Sequence, residues 1–221
     1  MDVRTALSQG ARLLEDAAPA APRLNAEVLL AHAMHRERAW FYGHPDDELT
    51  ETAWLHYGRY LHERLQGKPT QYITKRQEFY GREFLVTPDV LIPRPETEHV
   101  IEAALMRVQA GDAAIDIGCG SGAIAVTLAL ECARARVFST DVSLAALRVA
   151  AENARRLESN IRLIACDLAS AFPDASVDVV VSNPPYVAAR DAESLQREVR
   201  DWEPHVALFG GPDGLDVCRR L

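Results

Sequence analysis

Three stretches in the first 66 residues, about 5–17, 22–35 and 50–66, carry apolar side chains at helical spacing. In the second, Leu24, Val28, Leu29 and Ala31 recur at intervals that put them along one side of a helix. Turn-forming runs separate the three, Ala17-Ala18-Pro19-Ala20-Ala21-Pro22 and Gly43-His44-Pro45-Asp46. After Gly67-Lys68-Pro69 the pattern changes, and residues 78–92 read as a hairpin-like segment with Gly81 at its turn. Beyond Arg94, short apolar runs at 113–117, 136–140, 161–166 and 177–182 alternate with helical patterns at 123–130 and 143–157. That alternation predicts a doubly wound α/β sheet. The expected organisation is a small helical domain over 1–75, a β-hairpin linker over 76–93 and an α/β domain over 94–221, with no internal repeat.

The chemistry gathers at the ends of the expected strands. The first runs into Gly118-Cys119-Gly120-Ser121-Gly122, where glycines permit positive φ and close backbone approach, and the helix that comes next offers free N–H groups. The spacing is GxGxG, with Ala123 where the GxGxxG dinucleotide pattern would continue, which argues against a nicotinamide cofactor. The second strand ends in Asp141, placed to take ribose hydroxyls, and the third in Asp167, near where an adenine amine would sit. The fourth ends in Asn183-Pro184-Pro185-Tyr186. Two prolines fix the backbone and remove its donors, leaving a side-chain amide oxygen beside a free carbonyl, a pair that can accept both hydrogens of a planar NH2 group. Each feature has a plainer reading: a tight turn for the glycines, helix caps for Asp141 and Asp167, a merely small side chain for Cys119. Arg94-Pro95-Glu96-Thr97-Glu98 likewise reads as a first helical turn, with Pro95 suited to it and Glu96 and Glu98 complementing the dipole. Their order along one sheet edge favours a ligand site.

Four segments, in this order, resemble the S-adenosylmethionine-dependent methyltransferases, and specifically the peptide chain release factor glutamine methyltransferases of the HemK/PrmC family. They are Gly81-Arg82-Glu83-Phe84 with Val90 to Glu98; Asp116 to Gly122; Ser182 to Tyr186; and Glu203-Pro204 with Gly210-Gly211-Pro212-Asp213-Gly214-Leu215. The Asn-Pro-Pro-Tyr motif is shared with DNA adenine and some RNA methyltransferases; the other runs are more specific. The resemblance extends from about Arg64 to the last residue. It implies a Rossmann-like methyltransferase sheet and S-adenosylmethionine held by Asp116, Gly118, Cys119, Gly120, Ser121, Gly122, Asp141, Asp167, Leu168 and Asn183. It implies a substrate pocket of Arg94, Pro95, Glu96 and Thr97 with Asn183, Pro184, Pro185 and Tyr186, in which Tyr186 packs beside the reacting amide. The implied substrate is the glutamine of the Gly-Gly-Gln loop in translation release factors, with the helical domain as docking module or stabilising lid. In the fold resembled, three more strands come after a helix beginning near Gly214. This chain ends at Leu221, so the expected sheet is C-terminally incomplete, with 177–181 an exposed apolar edge.

Composition narrows the setting. The 221 residues are 48% hydrophobic, with no apolar run of membrane length and no signal-like N-terminus, and point to the cytoplasm. Four cysteines and seven histidines show no metal-ligand spacing and no disulfide framework, so no metal is expected. A net charge of −8 argues against tight nonspecific nucleic-acid binding. Two alternatives remain: a methyltransferase acting on an exocyclic amine of DNA or RNA or on a ribosomal-protein glutamine, and an inactive release-factor-binding module.

Overall fold

The structure, a computed structural model, describes residues 1–15 and 21–221. The chain forms two compact units, one of residues 1–74 with 197–202, the other of 75–196 with 203–221.

The first unit is helical. Helix α1 (Val3–Leu14) begins where the Asp2 carboxylate accepts a 2.7 Å hydrogen bond from the Thr5 N–H. The turn expected over 17–22, and the end of the first expected helix, fall on residues 16–20, outside the described residues. Helix α2 (Pro22–Met34) has proline in its first turn and stops at His35, whose φ of 52° is left-handed. Beyond a single-turn helix, α3 (Trp40–Gly43), comes α4 (Glu51–Leu65), capped by Thr50, and then another short helix, α5 (Thr70–Thr74). Neither short helix is visible in the hydrophobic pattern, because four or five residues do not define a period. On α2 the buried apolar residues are Ala26, Leu29, Leu30, Ala31 and Ala33, whereas Leu24, read as part of the apolar face, lies exposed. Tyr57 is fully buried against Gly10, where a methyl group would come within 1.9 Å of the phenol oxygen. The helix Arg197–Trp202 joins this unit through buried Arg64, which donates to Glu198 (2.6 Å), to the Asn25 side-chain oxygen (3.1 Å) and to the Lys68 carbonyl (3.2 Å). These bonds satisfy three directions of the guanidinium fork, the condition for burying it.

The second unit opens with strands β1 (Arg76–Phe79) and β2 (Arg82–Leu85), paired antiparallel around Tyr80-Gly81. The hairpin is shorter than the expected 78–92, since Thr87-Pro88-Asp89 turns the chain, with the Val90 N–H bonded to the Thr87 carbonyl. A 3-10 turn at Pro95–Thr97 leads into helix α6 (Glu98–Leu105). Strand β3 (Ala113–Ile117), helix α7 (Ala123–Glu131), strand β4 (Arg136–Asp141), helix α8 (Leu144–Arg156), strand β5 (Ile161–Ala165) and strand β6 (Val179–Ser182) complete the alternation. The strands form one parallel sheet in the order β5-β4-β3-β6. The chain leaves β3 toward β4 and β5 on one side and returns to β6 on the other, so a topological switch point lies between β3 and β6, at their carboxyl ends. Every residue of β3 is buried, as a strand covered on both faces must be. Strand β6 is an edge of the sheet among the described residues, and Val180 on it is 55% exposed. Residues 216–220, where a helix was expected from near Gly214, form turns with a helical bond from the Arg219 N–H to the Leu215 carbonyl. Among the described residues no helix is long and apolar enough to cross a membrane.

Candidate active site

The glycine loop leaves β3 with Gly118, Gly120 and Gly122 all at positive φ, 75°, 52° and 78°. The Gly118 and Cys119 N–H groups donate to the Thr140 carbonyl at the end of β4, both at 2.9 Å. The Asp141 carboxylate then accepts from the Gly120 N–H (2.9 Å) and the Ser143 N–H (2.8 Å). It therefore braces the loop and turns the chain into α8 while still lining the cavity beside it. A methyl group on Gly118 or Gly120 would meet nothing within 4 Å, whereas one on Gly122 would come 3.0 Å from the Ala150 side chain. The first two glycines face open space where a ligand can approach the backbone; the third lets α8 pack.

A side chain that belongs to none of the sequence motifs holds this loop. Asn153, in the last turn of α8 and fully buried, accepts from the Leu85 N–H (2.7 Å) and donates to the Leu85 carbonyl and the Ser121 carbonyl, both at 2.9 Å. Its amide pairs with β2 as a neighbouring strand would and ties β2 to the glycine loop. The available signal was an asparagine at the helical spacing of Ala146 and Ala150, both on the buried stripe.

Asp116, on β3 beneath the loop, is fully buried; one oxygen accepts from the Ala125 N–H (3.2 Å) and Oδ1 has no partner among the described residues. Burial pushes its carboxyl up to about 7; the Ala125 bond opposes this and the Asp141 charge adds to it. Because the folded value lies above the ordinary 3.8, the folded chain holds a proton that the unfolded chain releases. Stability of the ligand-free protein should thus fall as pH rises from about 4 through about 7, by up to about 4 kcal/mol at 1.36 kcal/mol per unit. Thermal unfolding at pH 5 and pH 8 checks this: Asp116→Asn should flatten the difference, and an unchanged pH slope in that variant would assign it to other groups.

One cavity of about 280 Å³ is lined by Gly118, Cys119, Gly120 and Ser121, by Asp141, Asp167 and Leu168, and by Thr97, Asn183, Pro184 and Pro185. The Asn183 Nδ2 donates to the Thr97 hydroxyl (3.4 Å), while its Oδ1 and the Pro184 carbonyl accept no hydrogen bond among the described residues. Asp167 is ion-paired with Arg220, which also lines the cavity. Leu168 has a φ of 51°, a left-handed conformation uncommon for a branched side chain. Asp116 and Gly122 lie outside the lining, beneath and behind the loop. Of the run from Arg94 to Thr97, only Thr97 reaches the cavity. Arg94 instead pairs with buried Glu203, whose other oxygen accepts from the Ile92 N–H (3.2 Å). Glu203 thereby clamps the 92–94 segment and joins the two distant motifs to each other. Tyr186 is 65% exposed and outside the lining, so it does not shield the cavity from water.

The parallel sheet, the glycine loop at its switch point and the acceptor pair at the end of β6 describe a methyltransferase of the α/β type. Residues 99–200 match the methyltransferase small domain model, and residues 5–74 match the PrmC N-terminal domain model. The chain is 46% identical to the release factor glutamine methyltransferase of Koribacter versatilis over all of its own length and 80% of that relative's. It is 44% identical to the Bordetella pertussis protein of the same name (95% and 79% covered) and 42% identical to the Moorella thermoacetica one (100% and 79%). The chain belongs to the release factor glutamine methyltransferase family. It is a methyltransferase whose methyl donor is S-adenosylmethionine. The cavity fits that donor: open space lies over Gly118 and Gly120, and the carboxylates at the ends of β4 and β5 line the same cavity.

Proposed function

We propose that this chain methylates the side-chain amide nitrogen of a glutamine in translation release factors, the glutamine of their Gly-Gly-Gln loop, in the cytoplasm. The observation that supports the reading is that one cavity is lined both by the glycine loop and by Asn183 and Pro184. S-adenosylmethionine supplies an electrophilic methyl group. The glycine loop and Asp141 bind it, with Asp141 accepting from the ribose hydroxyls through lone pairs left over from its two backbone bonds.

An amide nitrogen is a weak nucleophile because its lone pair is delocalised. Asn183 Oδ1 and the Pro184 carbonyl accept the two N–H hydrogens, orient the nitrogen and stabilise positive charge as it develops there. Thr97 receives the Asn183 Nδ2, which turns the amide oxygen toward the substrate. The nitrogen's proton leaves to solvent after transfer. Residues 1–75 are assigned the docking of the protein substrate.

The test is methyl transfer from labelled S-adenosylmethionine to release factor, DNA and ribosomes in parallel. Label on the release factor alone is expected; label on DNA or ribosomes alone would replace the substrate assignment. Cofactor binding is tested separately by Asp141→Ala, which should weaken S-adenosylmethionine binding in calorimetry by about 1–3 kcal/mol through lost charge-assisted hydrogen bonds. Unaltered affinity would remove Asp141 from the cofactor site.

A further inference from the structure

The glycine-rich run from Gly210 to Gly214 lines no part of the cavity, yet it packs on the backbone that carries the acceptor pair. Pro184 and Pro185 have no N–H, so the motif cannot be held by its own donors at those positions. Residues 187–189, next along the chain, supply the hold. Val187 and Phe209 form a parallel bridge. The Val187 N–H donates to the Leu208 carbonyl (2.9 Å), and the Gly210 N–H donates back to the Val187 carbonyl (3.0 Å). The Ala189 N–H donates to the Gly211 carbonyl (2.9 Å).

These bonds fix the motif sideways; two glycines fix its depth. A methyl group on Gly210 would lie 2.5 Å from the Pro185 carbonyl oxygen and 2.3 Å from that of Gly214. On Gly214, whose φ is +84°, it would lie 2.3 Å from the Tyr186 carbonyl oxygen and 3.1 Å from the Ala188 nitrogen. All four obstacles are backbone atoms, so no side chain can swing aside. Gly211 differs, since there the added methyl would meet the Asp216 carboxylate, the end of a side chain.

We propose that Gly210 and Gly214 are positioning residues for the methyl-accepting amide: having no side chain, they let the 208–214 segment seat directly on the Pro185 and Tyr186 carbonyls and so set where Asn183 and Pro184 present their oxygens. The proposal rests on the methyl-transfer reading of that pair. Restoring ordinary contact beside an alanine at either position takes a displacement of about 1 Å, and a misplacement of that size costs on the order of 100-fold in rate. The glycine loop hangs from β3 and β4 and shares no contact with this run in the hydrogen-bond pattern, so cofactor affinity is not carried along.

The experiment uses the full chain with Gly210→Ala and Gly214→Ala. S-adenosylhomocysteine affinity should stay within about threefold, while kcat for methyl transfer to release factor falls about 100-fold with a smaller change in KM. A second readout needs no turnover: in 1H–15N spectra the Asn183 side-chain amide and the Val187 N–H should move in both variants, while Gly118, Gly120 and Gly122 stay in place. Equal loss of cofactor binding and turnover, unfolding of both variants, or unmoved Asn183 and Val187 signals would each show a general structural role and overturn the proposal. Failure of the substrate reading looks different: the unmodified chain would then leave release factor unlabelled, while the spectral comparison still decides the role of the two glycines.

Discussion

Asn183→Ala is expected to lower methyl transfer to release factor by about two orders of magnitude or more while S-adenosylmethionine affinity stays within a few-fold. The side-chain oxygen of Asn183 accepts nothing among the described residues, and its Nδ2 is occupied by Thr97, so the oxygen is poised for an incoming donor. Charge grows on the target nitrogen only as the methyl group moves, so the bond to Asn183 strengthens toward the transition state. Loss of such a group costs about 10²–10³ in kcat. The cofactor's other contacts lie on the glycine loop and at the ends of β4 and β5, which the substitution leaves in place. Single-turnover rates beside calorimetry separate the two effects. A variant that transfers methyl groups at the unmodified rate would refute the role of the acceptor pair.

Asn153→Leu should destabilise the chain by about 2–4 kcal/mol and weaken cofactor binding as well. Leucine keeps the approximate volume but leaves the Leu85 N–H, the Leu85 carbonyl and the Ser121 carbonyl without the partner they have now. Each buried group stranded in this way costs about 1–3 kcal/mol, reduced where the backbone relaxes toward water. Because one of the three belongs to the glycine loop, cofactor affinity should fall by about tenfold, unlike in a variant that only loosens the core. Urea unfolding with an unchanged m-value checks the first part and calorimetry the second. Full stability in Asn153→Leu would mean that these bonds are replaced at no cost.

How far each part of the molecule was legible depends on the range of the interaction that defines it. The alternation of β3 to β6 with α7 and α8 is written locally, because short apolar runs of strand length bounded by turn residues alternate with longer apolar segments of helix length. The glycine loop was equally plain, since three positive-φ turns admit few other residues. Asn183-Pro184-Pro185-Tyr186 was legible because proline removes donors wherever it occurs. The short helices α3 and α5, the early end of β2 and the exposed Leu24 were not, being set by which faces meet in space.

The fold class and the chemical groups at the sheet edge are thus legible from the chain alone, because both derive from backbone preference and side-chain type. What holds those groups in place emerges from contacts made on folding. Arg94 turns out to clamp Glu203, Asp141 to brace Gly120, Asn153 to bridge Leu85 and Ser121, and Gly210 to seat against Pro185. The partners in these contacts lie 21 to 109 residues apart where hydrogen bonds define them. Hydrogen bonding and close packing act over a few ångströms in space whatever the distance along the chain, and no local pattern records which residues folding will bring within that reach.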